Sequence, residues 1–351
     1  MIETNNDGPA AGDTTAGATA PIPASTALAR PWLVADIGGT NARFGWVAAG
    51  SDDIQHVATL SGAAHAGPAA AARVYLQELA QTLGSAYSAP RAGAFAVATA
   101  VAGDAVALTN SGWAFSRRQT TKELALDELL VLNDFEALAL SLPRLRPSQL
   151  RAHGVLLPAS GTLAVIGPGT GLGVAGLKQT AQGWVALPGE GGHASLSAAD
   201  DFEAALLAAV RHHYAHVSAE RLLSGIGLPV LHAAVAQVLG LGSGVLSAED
   251  IVERGLAGSD TACSRTLDSF CALLGSFAGN VALTFGARGG VYIGGGIVPR
   301  LGERFFASEF RARFEAKGRF QAYMQAIPTA LITDTLAALT GTAQALEQHG
   351  R

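Results

Sequence analysis

The fold is decided by the stretch Leu33-Val-Ala-Asp-Ile-Gly-Gly-Thr-Asn-Ala-Arg-Phe-Gly-Trp-Val47, in which one apolar run enters a glycine turn and another leaves it. The stretch Leu163-Ala-Val-Ile-Gly-Pro-Gly-Thr-Gly-Leu-Gly-Val-Ala-Gly-Leu177 repeats this pattern 130 residues further along the chain. Each stretch predicts a strand, a tight turn and a second strand. Glycine can adopt positive φ and lets the backbone approach a ligand closely, so successive N–H groups can converge on an anion. Two such turns predict one cleft with a phosphate-holding hairpin on each side.

The composition describes a densely packed globular protein with room for two domains. Hydrophobic residues make up 49% of the 351 residues, and charged residues make up only 15%. No uninterrupted apolar run approaches the roughly 20 residues that a membrane span needs, which argues against a membrane partner. A formal net charge of −5 without a basic cluster argues against nucleic acid as the main partner.

Cysteine usage and the N-terminal segment both favour a cytoplasmic protein. Cys263 and Cys271 lie outside any CxxC or Cys/His ligand spacing, so we expect no disulfide framework. Residues 1–30 are rich in Ala, Gly, Thr and Pro, and they lack the basic start and apolar core of a secretion signal. They cannot bury enough apolar area to order themselves, so we predict a disordered N-terminal extension.

Short apolar strands alternate with helices along the rest of the chain, which indicates an α/β fold. A strand at 129–132 ends in Asn133-Asp134, directly before a helix predicted over 135–142. Further helices are predicted over 200–214, with Ser197 as its cap, over 218–223 and over 264–285. The hairpin that opens each half indicates a duplicated unit, in which each half begins with antiparallel strands.

The glycine turns match neither of the two common nucleotide-binding motifs. The lysine and hydroxyl of the P-loop motif GxxxxGK[ST] are missing from both. Residues 171–176 formally match the dinucleotide fingerprint GxGxxG, and Glu190 follows 14 residues later. That fingerprint requires a crossover helix of a dozen residues or more. Only 177–183 separate the turn from the next apolar run, so the length disfavours a nicotinamide site.

Asp36, directly before the first glycine turn, is a candidate metal ligand. A carboxylate at the end of a strand beside a phosphate loop can hold Mg²⁺, usually through water, because this ion dehydrates reluctantly. Thr40 and Thr170 lie within the two turns and add hydroxyl groups. The alternative is that both turns are merely tight hairpins.

Seven short blocks, spaced in order over 33–348, carry a resemblance to the bacterial glucokinases of the ATP-dependent hexokinase-type family. The blocks are Asp36-Ile-Gly-Gly-Thr-Asn-Ala-Arg43, Thr109-Asn110 before Trp113-Ala-Phe-Ser116, Leu132-Asn-Asp-Phe135, Gly167-Pro-Gly-Thr-Gly-Leu-Gly173, Leu187-Pro-Gly-Glu-Gly-Gly-His193, Ser218-Ala-Glu-Arg221 with Ser224-Gly225, and Gly289-Gly-Val-Tyr-Ile-Gly-Gly-Gly-Ile297. No block decides the family by itself, but the chain resembles it in all seven and in their order.

The resemblance implies the actin-like (ribonuclease H-like) fold, with two α/β domains that close on a central cleft. The small domain would comprise 31–143 together with the returning C-terminal segment 335–351. The large domain would comprise 144–334. Members of this family are commonly homodimers, so a homodimer is expected.

The resemblance also implies a site for glucose, ATP and Mg²⁺. Glucose would be bound at the base of the cleft by Asn110, Asn133, Asp134, Glu190, His193 and Glu220, with Asp134 as the catalytic base. ATP would be bound by Asp36, Gly38, Gly39, Thr40, Asn41, Gly169, Thr170, Gly171 and Gly295, and Asp36 would hold Mg²⁺ through water.

Several of these residues have an ordinary structural interpretation as well. Asp134 could cap the helix predicted to begin at residue 135. Glu220 could merely complement the helix dipole in the first turn of the predicted helix 218–223. A lone histidine such as His193 is often structural, and Trp113 could belong to the core rather than to a sugar-binding loop. His212, His213 and His216 are spaced along one helix face, where solvent exposure is the expected state.

The predicted function is phosphoryl transfer from ATP to glucose in the cytoplasm, which is the first step of glycolysis. Fructose, mannose or an amino sugar as acceptor, and polyphosphate as donor, stay open. A sugar-binding regulator without turnover would be expected to lack Asp36 or Asp134, and both are present. An actin-type structural ATPase would not need the Glu and His residues of the sugar site. Ala100 and Ser111-Gly112 depart from the family pattern, which leaves the fine selectivity among hexoses open.

Overall fold

The computed structural model describes residues 30–108, 112–156, 158–242 and 244–349. The predicted extension therefore lies outside the described residues, except for Arg30, and so does Asn110. Arg30 pairs with Asp52 at 2.7 Å and stacks on the Trp32 ring.

Strands occur throughout the described ranges. They are β1 (Trp32–Ile37), β2 (Asn41–Val47), β3 (Ile54–Ser61), β4 (Ala92–Val97), β5 (Ala105–Ala107), β6 (Ala114–Ser116), β7 (Glu128–Asn133), β8 (Leu150–His153), β9 (Thr162–Pro168), β10 (Leu172–Thr180), β11 (Gly183–Gly189), β12 (Gly290–Ile293) and β13 (Thr329–Ile332).

The helices lie mainly after the second hairpin. They are α1 (Pro68–Leu83), α2 (Arg117–Glu123), α3 (Asp134–Ser141), α4 (Asp201–Arg211), α5 (Leu228–Val238), α6 (Ala248–Ala257), α7 (Thr261–Phe285), α8 (Ile297–Leu301), α9 (Glu303–Ala307), α10 (Phe310–Glu315), α11 (Gln321–Gln325) and α12 (Ala337–His349).

Two mixed sheets share one strand order. The first sheet has the order β3-β2-β1-β4-β7, and the second has β11-β10-β9-β12-β13 with β8 added at its edge. In both sheets the first three strands of this order pair antiparallel with one another. In the first sheet β1, β4 and β7 then run parallel, and in the second sheet β9, β12 and β13 do the same. This repetition confirms the predicted duplicated unit whose halves open with antiparallel strands. The apolar runs of β1 and β9 are buried on both faces, as expected for the central strands of sheets covered on both sides.

Helices α3 and α12 pack against each other between the two sheets. Helix α3 contacts β9, β10 and β11 of the second sheet as well as β4 and β7 of the first, and α12 contacts β1 and β4. One apolar cluster accordingly joins Val34 of the first sheet, Val165 of the second and Leu346 of α12. The C-terminal helix thus returns to the first sheet, as the resemblance implied. The domain boundaries at 143 and 334 stay predictions.

The longest helix, α7, is the centre of the second half. Its 25 residues are long and apolar enough to span a membrane by composition alone, but 83% of its most apolar window is buried inside the protein. Protein rather than lipid therefore covers this helix.

Two local expectations were wrong, and some short elements had no prediction. Helix α4 is capped by Asp200, whose Oδ1 accepts from the Glu203 N–H at 2.8 Å, and not by Ser197. Residues 218–223 form irregular turns rather than a helix. Strand β8 and the short helices between β12 and β13 had no prediction, because they are too short to show a hydrophobic period.

We expect Gly341→Ala to destabilise the protein. In an exposed helix this change stabilises by roughly 0.5–1 kcal/mol, because alanine loses less backbone entropy on folding. A Cβ at Gly341 would, however, lie 1.6 Å from the Ala137 carbonyl oxygen, where α12 crosses α3. The expected result is a loss of about 1–3 kcal/mol in the free energy of unfolding, measured by denaturant titration. Gly242→Ala is the control, because no described residue beyond its chain neighbours comes within 4 Å of its Cβ position. A stabilised Gly341 variant would contradict the close crossing.

Candidate active site

The predicted site residues gather at the carboxyl ends of the parallel strands, where open α/β sheets bind their ligands. Asp36 is the fifth residue of β1, and Asp134 directly follows β7. In the second sheet the 169–171 turn follows β9, and Gly295 lies two residues beyond β12.

Asn133, rather than Asp134, caps helix α3. Its Oδ1 accepts from the backbone N–H groups of Phe135 at 2.9 Å and Glu136 at 3.4 Å. Its Nδ2 donates to the Thr99 carbonyl oxygen at 3.1 Å. Asp134 is the first helical residue, so the interpretation that it serves as the cap is wrong. The cap also fixes the position of the Asp134 backbone at the end of β7.

Burial, together with the negative charges of Asp36 and Glu190, raises the pKa of Asp134 to about 6. The Phe135 N–H donates to Asp134 Oδ1 at 2.9 Å and partly opposes this rise. Burial also raises the pKa of Asp36, against the opposing effect of Arg43. The carboxyl groups of Asp36 and Glu190, from the two sheets, thus lie close enough to Asp134 to affect its protonation. A concentration of acid groups with raised pKa values is typical of a functional site.

Arg43 is a neighbour of Asp36 to which the sequence analysis assigned no role. The two residues are partners across β1 and β2, with Nη1 of Arg43 at 3.6 Å from Oδ2 of Asp36. The same Nη1 donates to the Thr335 carbonyl oxygen at 2.8 Å. This bond ties the first glycine hairpin to the segment before α12, so Arg43 both balances the Asp36 charge and holds the hairpin in place.

Neither glycine turn contains a residue with positive φ, so the conformational argument for their glycines was wrong. The first turn is closed by the Gly38 N–H, which donates to the Asn41 carbonyl oxygen at 2.9 Å. Thr40 and Asn41 are exposed at its tip, and the Thr40 carbonyl oxygen accepts from the Gly62 N–H at 2.8 Å. The turn is therefore held by a hydrogen bond from the residue after β3, while the side chains at its tip are exposed to solvent.

In the second turn, glycine is needed for close packing. Gly167 and Gly173 are partners across β9 and β10, and the Phe135 ring covers both. A Cβ would lie 2.4 Å from this ring at Gly167 and 2.0 Å from it at Gly173. The residue that follows Asp134 therefore packs against the glycine hairpin of the other sheet. The sequence feature that could have indicated this contact is the pair of glycines, because two glycines at paired positions leave one face of the hairpin without side chains.

Glu220 supports the tip of the second turn. Its Oε2 accepts from the Leu172 N–H at 2.8 Å, and a Cβ at Gly171 would lie 2.5 Å from the same oxygen. The Gly225 N–H donates to the Gly169 carbonyl oxygen at 2.7 Å, so the 220–225 segment lies directly against the turn. Thr170 stays exposed at the tip. Because Glu220 lies in an irregular turn, the helix-dipole interpretation of this residue was wrong.

His193 and Glu220 come together, as the predicted sugar site requires. The His193 Nε2 lies 3.9 Å from the Glu220 Oε1, and the side chains are 60% and 24% exposed. The Glu220 N–H donates to the Gly192 carbonyl oxygen at 2.8 Å, which joins the two loops. Glu190, three residues before His193, is exposed and acts electrostatically on Asp134. These contacts link the predicted sugar residues to the predicted base.

Gly295 does adopt positive φ, at 77°. A Cβ here would lie 2.3 Å from the Pro168 carbonyl oxygen, and the neighbouring Gly294 N–H donates to the Ile166 carbonyl oxygen at 2.8 Å. The segment after β12 therefore lies beside the second glycine turn.

The remaining candidates are structural or exposed. Trp113 is buried, and its Nε1 donates to the His65 carbonyl oxygen at 3.1 Å, which supports its core interpretation. His212, His213 and His216 are exposed as expected, and His216 is hydrogen-bonded to the Ser195 hydroxyl at 3.1 Å.

Comparison with known proteins decides the family of this chain. A family model described as glucokinase matches residues 33–349. The chain belongs to the glucokinase family. It is an ATP-dependent hexose kinase that phosphorylates glucose. The glucokinase of Aromatoleum aromaticum is 47% identical over 318 residues, which cover 90% of this chain and 95% of that protein.

Solved structures of this family share the fold. A glucokinase from an Antarctic psychrotroph aligns with a TM-score of 0.82 and 39% identity, over 90% of this chain and 98% of that one. A glucokinase from Balamuthia mandrillaris in complex with glucose aligns with a TM-score of 0.70 over 91% and 94% of the two chains. Its identity is 18%, so it supports the fold alone. The predicted two-domain sugar-kinase fold is confirmed.

Two substitutions at Glu220 test its support of the second glycine turn. Glu220→Ala leaves the buried Leu172 N–H without an acceptor, which is expected to cost about 1–3 kcal/mol in the free energy of unfolding. Glu220→Gln keeps an acceptor oxygen and is expected to retain most of that stability. Both variants lose the charge that faces His193, so their difference in denaturant midpoint isolates the bond to Leu172. Equal midpoints would contradict the supporting role.

Proposed function

We propose that this enzyme transfers the γ-phosphoryl group of ATP to the 6-hydroxyl of glucose, with Asp134 as the general base, to give glucose 6-phosphate and ADP. The observation that carries the proposal is the Asp134 carboxyl group, partly buried at the start of α3, with its pKa raised to about 6. Such a carboxylate is ionised at neutral pH yet basic enough to accept a hydroxyl proton late in the transfer.

The sugar is bound by Asn110, Asn133, Glu190, His193 and Glu220 together with Asp134. The separation of 3.9 Å between His193 Nε2 and Glu220 Oε1 lets one sugar hydroxyl reach both atoms at ordinary hydrogen-bond length. That hydroxyl can donate to the carboxylate and accept from the ring. Because Glu220 also holds the Leu172 N–H, occupancy of the sugar site is coupled to the second phosphate turn.

The nucleotide is held by the two turns and the segment after β12. The residues we assign to it are Asp36, Gly38, Gly39, Thr40, Asn41, Gly169, Thr170, Gly171 and Gly295. The exposed tips at Thr40 and Thr170 offer backbone N–H and hydroxyl groups to phosphate oxygens. Gly295 leaves the backbone free of a side chain where the adenosine would lie.

The residues around Asp36 fit Mg²⁺. They offer carboxylate oxygens, the hard donors that this ion prefers, and a cation there would relieve the mutual repulsion of Asp36 and Asp134. We assign Asp36 as the ligand, through water. When bound, the ion offsets charge on the phosphate oxygens.

Three further assignments, the oligomeric state, the location and the place in metabolism, follow from the family resemblance. We propose that the enzyme acts as a homodimer in the cytoplasm, in the first step of glycolysis. Light scattering after gel filtration measures the first of these properties directly.

The function is tested by incubating the purified protein with MgATP and glucose and following glucose 6-phosphate, with mannose, fructose and no sugar as parallel reactions. Product with glucose at the highest kcat/KM supports the proposal. A higher kcat/KM with another hexose would mean that this hexose, and not glucose, is the preferred acceptor in the same reaction. No product from any sugar, from protein that still binds glucose, would contradict the kinase.

Asp134→Asn is expected to lower kcat by roughly 10²–10⁴-fold, because the amide cannot accept the hydroxyl proton. The amide oxygen can still accept from the Phe135 N–H, so the start of α3 should stay folded. Glucose affinity, measured by calorimetry, is expected to change little.

The matched control is Glu136→Gln, which removes a half-buried carboxylate two residues along the same helix. This variant should keep near-normal turnover. If Asp134→Asn were as active as the control, Asp134 would serve only to shape the start of α3.

The pH dependence of kcat/KM for glucose is expected to show an acid limb near pH 6, falling about tenfold per pH unit below it. Asp134 must be ionised to act as base, and burial with the Asp36 and Glu190 charges raises its pKa from 3.8 to about 6. Circular dichroism over the same range separates titration from unfolding. A limb near pH 4 in folded protein would show that the base is not in this environment.

A further inference from the structure

A second cluster of potential ligand groups lies away from the carboxylates of the active site. It combines His232 of α5, Asp260 at the start of α7 and Cys263 in the first turn of α7. One ligand atom from each residue lies within 4.8 Å of the other two. His232 is 3% exposed and Cys263 is fully buried. None of the three belongs to the residues assigned to glucose, ATP or Mg²⁺.

Helix capping explains part of this cluster. The Asp260 Oδ1 accepts from the Cys263 N–H at 2.9 Å, which caps α7. The Cys263 thiol also donates to the Asp260 carboxylate, so these two side chains satisfy each other.

Capping does not explain His232. Its Nε2 is buried and has no hydrogen-bond partner among the residues that the structure describes. Buried polar atoms in native proteins almost always have a partner, and an exception requires an explanation such as an ion. A buried imidazole next to a thiol and a carboxylate has the composition of a metal site.

We propose that His232, Asp260 and Cys263 bind one zinc ion, which joins α5 to the start of α7. Imidazole, thiolate and carboxylate are all zinc ligands, and their mixture disfavours Mg²⁺, which prefers an oxygen-only environment. At zinc–ligand distances of about 2.0–2.3 Å, tetrahedral ligand atoms lie roughly 3.3–3.7 Å apart. From separations of at most 4.8 Å, the three ligand atoms therefore need to approach one another by about 1.5 Å at most, which is within reach of side-chain rotation.

The ion would be structural. Helix α5 directly follows the 220–225 segment, in which Gly225 bonds to the second phosphate turn. A metal ion that joins α5 to α7 would restrict the movement of the 220–225 segment, which precedes α5 in the chain. The proposal does not depend on the proposed catalytic roles, because it concerns metal binding and stability.

Metal content is the first test. The tag-free protein is incubated with ZnSO₄, dialysed and analysed by atomic emission. We expect about one zinc per chain in the wild type, and loss of most of it in His232→Asn and Cys263→Ser. Cys271→Ser is the matched control, because Cys271 is equally buried in the same helix and lies outside the cluster. Wild-type protein without zinc, or variants with wild-type content, would overturn the proposal.

Cobalt(II) provides a test that does not require the Cys263 variant to fold. The chain has two cysteines, so Cys263 is the only thiol left in Cys271→Ser. A thiolate-to-cobalt charge-transfer band in Cys271→Ser, abolished by zinc and absent with MgCl₂, identifies Cys263 as the ligand. No such band would overturn the proposal.

Thermal unfolding gives a further measure. Zinc at about 100 times its dissociation constant should raise the unfolding midpoint by roughly 5 °C in the wild type and in Cys271→Ser. It should leave the midpoint of His232→Asn unchanged. An equal rise in all three proteins would point to binding elsewhere and contradict the site.

Discussion

The aromatic ring of Phe135 packs against the hairpin of β9 and β10 where two paired glycines leave room for it. This contact joins the end of β7, in the first sheet, to the glycine turn of the second sheet. Asp134 precedes Phe135 in the chain, and Asn133 caps the helix that both residues begin. The carboxyl group at the centre of the site is therefore positioned by a bond on one side and by a packed ring on the other. Any side chain larger than hydrogen at Gly173 would displace the ring and, with it, the start of α3.

The raised pKa of Asp134 is a consequence of this packing. Helix α3 lies between the sheets, so its first residue is withdrawn from water, and burial is the largest cause of the raised pKa of Asp134. Asp36 from the first sheet and Glu190 from the second add their charges to the same point. Unrelieved carboxylate repulsion is unfavourable in an empty site, and ligands that bring protons or cations relieve it. The arrangement thus couples the binding of such ligands to the protonation of Asp134.

Some residues have a structural and a ligand-facing function at once, and the sequence pattern does not separate the two. One oxygen of Glu220 holds the Leu172 N–H while the other faces His193, so the residue belongs both to the turn and to the candidate sugar site. Asn133 uses its side chain to cap α3 and to bind the Thr99 carbonyl oxygen. The sequence predicted a helix around Glu220, since its local composition permits one. Contacts with 169–171 and with Gly192 impose an irregular turn instead.

The sequence by itself determined the duplicated α/β units, the hairpin that opens each one and the polar residues that follow their strands. Those features depend on short-range patterns: apolar runs, glycine turns and the side-chain types at strand ends. Only the tertiary structure determines that glycine is required at 167 and 173, because the Phe135 ring packs there. It also determines that Asn133 rather than Asp134 is the cap of α3. The same holds for the meeting of His232 with Cys263, which lie on different helices. Packing between distant elements sets each of these, and a local pattern carries no information on which distant side chain will fill a given space.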